Sequence, residues 1–197
     1  MKIEVLWSQL LEQGLEHLIL EQNDHKEANG LAIGSIKGVG YRIKYQIICD
    51  AGWNAQNIRV EDLLNEKEIV LVKSGNNDWV DESNKTLKAL NHCTDVDIMV
   101  TPFTNTLPIR RMNLALHESR EISVMYVSIP DLSVSRLSQR YTYLSQEKDS
   151  GLYKYENLNS GFTSEITVDS NGLVTDYPDI FKMVWKSIGG AVISTTT

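Results

Sequence analysis

The dominant period along this chain is two. Tyr41, Ile43, Tyr45, Ile47 and Cys49 share one face of a segment whose other face carries Arg42, Lys44, Gln46 and Asp50. That alternation predicts a long half-buried strand. Residues 31–36 supply its partner, joined through Lys37-Gly38-Val39-Gly40, a glycine-bearing hairpin turn. Residues 69–72 meet Trp79 and Val80 across Ser74-Gly75-Asn76-Asn77 in the same way. Further strands are predicted over 121–129, ended by Pro130, then over 138–144, 152–156 and 162–168. Ser170-Asn171-Gly172 signals a type I′ turn into residues 173–175. This spacing predicts an antiparallel all-β domain.

Helical signals are few. Val5 to Gln13 offers one or two turns, ended by Gly14, and Asp81 to Leu90 has a thin apolar stripe. Tyr177 to Lys182 suggests a short turn. The strongest helix is predicted over Thr106 to Met112, with Asn105 or Thr106 as cap and Pro108 in the first turn. Leu107, Ile109 and Met112 then face the sheet, and Arg110 and Arg111 need carboxylate or carbonyl partners. No repeat or linker interrupts the pattern. One domain over residues 1–185, with a loosely ordered tail over 186–197, is the expectation.

Composition narrows the function. The 197 residues are 42% hydrophobic and 23% charged, which is globular rather than disordered. Lys and Arg total 19 and Asp and Glu 26, a net charge of −7. Such a chain lacks the basic footprint of a nucleic-acid binder. No stretch of about 18 uncharged apolar residues spans a bilayer. The N-terminus reads as no secretory signal, so the expected place is the cytoplasm. Cys49 and Cys93 are too few for a disulfide framework and form no CxxC or zinc pattern. No P-loop, GxSxG, HExxH or dinucleotide glycine pattern is present. Neither a metal nor a cofactor is expected.

One stretch is unusual. Asp95-Val96-Asp97 follows Cys93-Thr94 and leads through 98–100 to Thr101-Pro102-Phe103-Thr104-Asn105-Thr106-Leu107-Pro108-Ile109-Arg110-Arg111. Further features fall in order: Glu16-His17; Trp53 after Asp50; Gln139-Arg140-Tyr141-Thr142 after Pro130-Asp131-Leu132; Tyr153-Lys154-Tyr155 before Phe162; Val168-Asp169 before Tyr177-Pro178. Over residues 5–182 the chain resembles the bacterial Putative glycolipid-binding family. The resemblance implies a large antiparallel sheet curled around a single central helix, distantly like lipoprotein localisation factors. It also implies a homodimer and an acidic pocket that binds a glycolipid or sugar. The tail beyond about Lys182 and the insert-like 146–150 have no counterpart in it.

The residues themselves allow several chemistries. Asp95 and Asp97, two apart on a strand, share a face. Close carboxylates suit acid–base work, sugar hydroxyls or a hard cation, and equally a solvated pair at a strand end. One of Arg110 and Arg111 pairs with an aspartate or holds a ligand phosphate or hydroxyl. Asn105 caps the helix or bonds a sugar. Tyr141, Tyr153 and Tyr155 form either a sugar platform or ordinary cross-strand packing. Glu16 beside His17 is a weaker acid–base candidate, and Asp50 a second-choice pocket residue. The leading reading is a non-enzymatic binder of a glycolipid or related amphiphile with a role in glycolipid metabolism. The alternative is an enzyme on a glycolipid or glycoside, with the paired aspartates as acid and base. A third is a structural dimer with 101–106 at its interface.

Overall fold

The computed structural model describes residues 1–76 and 78–193. Asn77, read as part of a hairpin turn, and 194–197 of the tail lie outside the described residues. About 60% of the chain is strand and 7% helical.

The first seven strands are β1 (Lys2–Gln9), β2 (Gly14–Gln22), β3 (Lys26–Ile36), β4 (Val39–Cys49), β5 (Ala55–Asp62), β6 (Lys67–Lys73) and β7 (Trp79–Asp81). A short β8 (Asp95–Ile98) precedes a 3₁₀ turn over Pro102–Asn105 and the helix α1 (Thr106–Met112). Then come β9 (Ser119–Val127), β10 (Val134–Glu147), β11 (Ser150–Asn157), β12 (Thr163–Asp169), β13 (Val174–Tyr177), β14 (Phe181–Ile188) and β15 (Ala191–Ile193). All belong to one open sheet, ordered β7-β6-β5-β4-β3-β2-β1-β14-β13-β12-β11-β10-β9-β8, with β15 paired to β14. Two meanders of sequence neighbours thus meet at the β1–β14 ladder. Every pairing is antiparallel except β8 with β9.

Side-chain alternation sets which face is inward. Tyr41, Ile43, Tyr45, Ile47 and Cys49 are all buried, as the period of two predicts. β2 turns Glu16, Leu18 and Leu20 inward and Leu15 and His17 outward. The edges draw together without pairing: Trp79 of β7 donates its indole N–H to the Cys93 carbonyl at 3.0 Å, just ahead of β8.

Three expectations need correction. Val5 to Gln13 is not helical. Ile3, Val5 and Trp7 alternate inward, and β1 gains ladders on both sides, to β2 and β14; pairing outweighs a weak local helical signal. Only 88–90 of the candidate over 81–90 turns helically, as one 3₁₀ turn, since two leucines do not make a buried stripe. The turn at Ser170-Asn171-Gly172 is not type I′. Only Gly172 has positive φ, 77°, and its N–H bonds the Asp169 carbonyl. This is a type I turn closed by a left-handed glycine. Of the described tail residues, 186–188 end β14 and 191–193 form β15, either side of a turn at Gly189-Gly190.

The helix forms where expected, over Thr106–Met112. Its cap does not. Asn105 is already helical and makes no cap bond. Thr101 does the capping, a turn earlier: its Oγ1 accepts the Phe103 N–H at 3.1 Å, with Pro102 opening the 3₁₀ turn. The apolar helix residues serve two cores. Leu107 and Phe103 pack with β1–β8, while Ile109 and Met112 pack with Tyr141, Tyr153, Tyr155 and Ile166. Residues 101–106 are buried throughout. They are interior, which removes them as a dimer interface.

Candidate functional site

Between the two cores runs a layer of buried and half-buried polar side chains. Asp95, wholly buried, is gripped by Arg111: Nε donates to Oδ1 at 3.1 Å and Nη2 to Oδ2 at 2.5 Å. Thr94 adds a hydroxyl bond to the same carboxylate at 2.7 Å. Asp97 shares its strand but not its partners. Its Oδ2 accepts from the Gln139 amide at 2.6 Å and Oδ1 from the Thr104 hydroxyl at 3.4 Å. Burial raises the Asp97 carboxyl above the usual carboxylate range, while Gln139 and Thr104 pull it back. The cause is desolvation rather than repulsion from Asp95.

The layer continues along the helix start. Tyr141 donates its hydroxyl to Asn105 Oδ1 at 2.8 Å, and the Asn105 amide donates to the Pro102 carbonyl at 3.2 Å. Asn105 therefore neither caps nor lies open. Glu16 enters from β2, 2% exposed. It accepts hydroxyl bonds from Tyr45 and from Thr101, the latter at 2.6 Å. Burial pushes the Glu16 carboxyl up to about 8, against both bonds. Gly30 makes room for this node. A Cβ there would lie 2.1 Å from the Tyr45 ring, so only glycine lets the ring cross β3. His17, the neighbour of Glu16, points outward toward Glu4 at 3.6 Å. The two form no acid–base pair.

Asp50 is a turn residue. Its carboxylate accepts the N–H groups of Gly52 and Asn54, each at 2.9 Å, and the Asn54 side-chain amide. Tyr141 and Tyr155 are buried, edge to face at 5.4 Å, and continue into Tyr177. They are packing aromatics. Tyr153 is different. It stacks on Tyr143 of β10, ring centroids 4.6 Å apart and planes 16° from parallel.

That stacked pair borders a cleft of about 520 Å³ beside the helix. Ile109, Leu114 and Val168 form apolar wall, and Asn113, Gln146, Asp169, Ser170 and Arg110 supply polar groups. Neither Asp95 nor Asp97 lines this cleft or the shallower ones at the sheet margins. Of the ten residues singled out from sequence, the structure brings Arg110 and Tyr153 to the cleft and leaves the other eight outside it. It adds Tyr143, Asn113, Gln146 and Ser170. Tyr143 had a signal: it shares alternation with Tyr141 and opposes Tyr153 in register. The others sit at a helix end and in hairpins, where no period marks them. Among the described residues, no three His, Cys, Asp or Glu side chains cluster as a metal site. No described helix is long and apolar enough to cross a membrane.

The model of the family described as Putative glycolipid-binding matches residues 4–183. The chain belongs to that family. A solved DUF1089 family protein from Pseudomonas aeruginosa is 34% identical with a TM-score of 0.72, covering 86% of this chain and 91% of that one. A 99-residue stretch, 47% of the chain, is 30% identical to an alpha-2-macroglobulin homolog from Yersinia pestis, but it spans only 5% of that protein. The polar layer of this family member holds most of the polar residues of the motif 95–111, and its cleft lies on the other flank of α1.

Proposed function

We propose that the protein binds an amphiphile with a sugar headgroup, a glycolipid in the family's terms, and takes part in glycolipid metabolism as a binder rather than a catalyst. The observation that carries this is the cleft beside α1. There a stacked pair, Tyr143 and Tyr153, stands against apolar Ile109, Leu114 and Val168, with amide and hydroxyl groups around the rim. Sugar rings are held in this way, apolar faces on aromatic planes and hydroxyls on polar side chains. Asp95 and Asp97 do not serve as the binding acids in this reading. Asp95 is spent on Arg111, and the half-buried Asp97 carboxylate is bonded to Gln139 and Thr104. The same facts weigh against an aspartate acid–base pair, which needs open access to substrate. The setting we propose is the cytoplasm, and the assembly a homodimer. Two buried free thiols, with Cys49 pushed up to about 12 by burial, suit a reducing compartment.

The test is titration with octyl glucoside below its micelle concentration, followed by calorimetry or amide chemical shifts. Tyr143 is half-buried at the cleft margin, and each variant is checked for fold by circular dichroism. Tyr143→Ala is expected to weaken binding about tenfold, the worth of one good stacking contact. Unchanged affinity, or shifts that map away from residues 143–153 and 168–172, would remove the cleft as the site.

A further inference from the structure

We propose that the headgroup taken by this cleft is anionic, a sugar bearing a phosphate ester or a carboxylate, and that Arg110 is the residue that binds its charge. This rests on the sugar-binding reading above and names its ligand class.

Adjacent arginines on α1 have opposite fates. Arg111 turns into the interior and is neutralised by Asp95. Arg110 lines the cleft and makes no hydrogen bond or ion pair among the described residues. Its guanidinium lies 5.6 Å from the ring centroid of buried Trp53, a contact with an aromatic face that leaves the N–H fork unoccupied.

The fork is also held in position. Gly172, with φ 77°, turns its backbone against the arginine stem; a Cβ there would sit 2.6 Å from Arg110 Cδ. The stem therefore lies against the glycine turn and the guanidinium over the Trp53 ring, which limits the ordering that ligand capture requires. A planar guanidinium so placed matches the paired oxygens of a carboxylate or phosphate.

The local charge agrees. The chain as a whole carries −7, yet the one carboxylate that lines the cleft is already answered. Asp169 meets the Lys186 ammonium at 2.5 Å and accepts the N–H groups of Asn171 and Leu173. With that pair cancelled, Arg110 leaves the cleft positive. Tyr153, stacked on Tyr143 and close enough to Arg110 to feel its charge, supplies the platform for the ring that carries the anion.

The experiment titrates the full chain at low ionic strength with methyl glucoside, glucuronate, glucose 6-phosphate and inorganic phosphate. It compares the parent protein with Arg110→Gln and Arg110→Lys, each checked for fold by circular dichroism. The charged sugars are expected to bind about tenfold tighter than methyl glucoside, the worth of one charge-assisted contact. Arg110→Gln should erase that advantage, bringing the charged sugars to the affinity of methyl glucoside for the same variant, while Arg110→Lys retains some of it. A larger effect for glucuronate or for glucose 6-phosphate assigns the anion. Equal affinities for neutral and charged sugars, or a preference that survives Arg110→Gln, would overturn the anionic ligand and leave the sugar reading standing. Arg110-dependent binding of phosphate with no sugar bound would do the reverse. Binding of none of the four would remove both.

Discussion

The two flanks of α1 are built from similar residue types and do opposite things. On one flank, Asp95, Asp97, Gln139, Asn105, Glu16 and Tyr45 are buried or half-buried, and nearly every polar atom has a partner inside the chain. On the other, Arg110, Asn113, Tyr143 and Gln146 border an open cleft. A polar group whose bonds are all made inside specifies the fold; one left facing a cavity is available to a ligand. The family motif therefore marks mainly the first flank. Its aspartates position the helix, and the helix presents Arg110.

The sharpest way to break this contrast is at Arg111. Arg111→Ala leaves the Asp95 carboxylate buried without its counter-charge, and the expected loss is about 3–5 kcal/mol in urea denaturation. A loss under about 1 kcal/mol would mean that the buried Asp95 does not depend on Arg111 for its counter-charge.

Glu16 tests the same flank by pH. Its folded pKa of about 8 lies above the ordinary 4.5, so the folded chain holds a proton that the unfolded chain releases between those values. Its contribution is complete below about pH 4.5 and is lost as pH rises to about 8. Parent stability relative to Glu16→Gln should fall across that window by up to about 5 kcal/mol. Parallel pH profiles for the two proteins would contradict a buried, protonated Glu16.

The smallest effect is expected one residue away from the largest. Arg110→Ala removes only a contact over Trp53, worth about 0.5–1 kcal/mol at an exposed site. If its cost in the same urea experiment approached that of Arg111→Ala, Arg110 would be a structural residue and the two flanks would not differ.

The strands were legible because one face of each is buried, and burial imposes a period of two that the sequence must carry. β4 is the plainest case. The helix was legible for a different reason: Pro108 and the apolar spacing of Leu107, Ile109 and Met112 fit no strand. β1 misled because its Ile3, Val5 and Trp7 are followed by Leu10 and Leu11, which lie exposed in the turn to β2. In the site, the pairing of an arginine with Asp95 or Asp97 was readable from proximity in sequence. That Asp95 would be buried and Asp97 half-buried beneath distant side chains was not. Depth depends on Gln139 and Thr104 closing over Asp97, and nothing in the local pattern of 95–97 encodes what a distant strand will cover. Asp50 failed likewise, its partners being its own turn.

The β1–β14 ladder has a consequence for how the chain acquires its shape. Most strands find a partner in their sequence neighbour, so either meander assembles through short loops. β1 needs a second partner from the far end, with Leu6 opposite Trp185. The Trp7 indole waits for the Val174 carbonyl, 167 residues on. Chain closure over such a span is slow beside hairpin formation. During synthesis the first meander is therefore complete while β1 still has a bare, apolar edge, the kind that recruits stray strands. The outward charges of Lys2 and Glu4 on that edge disfavour such pairing.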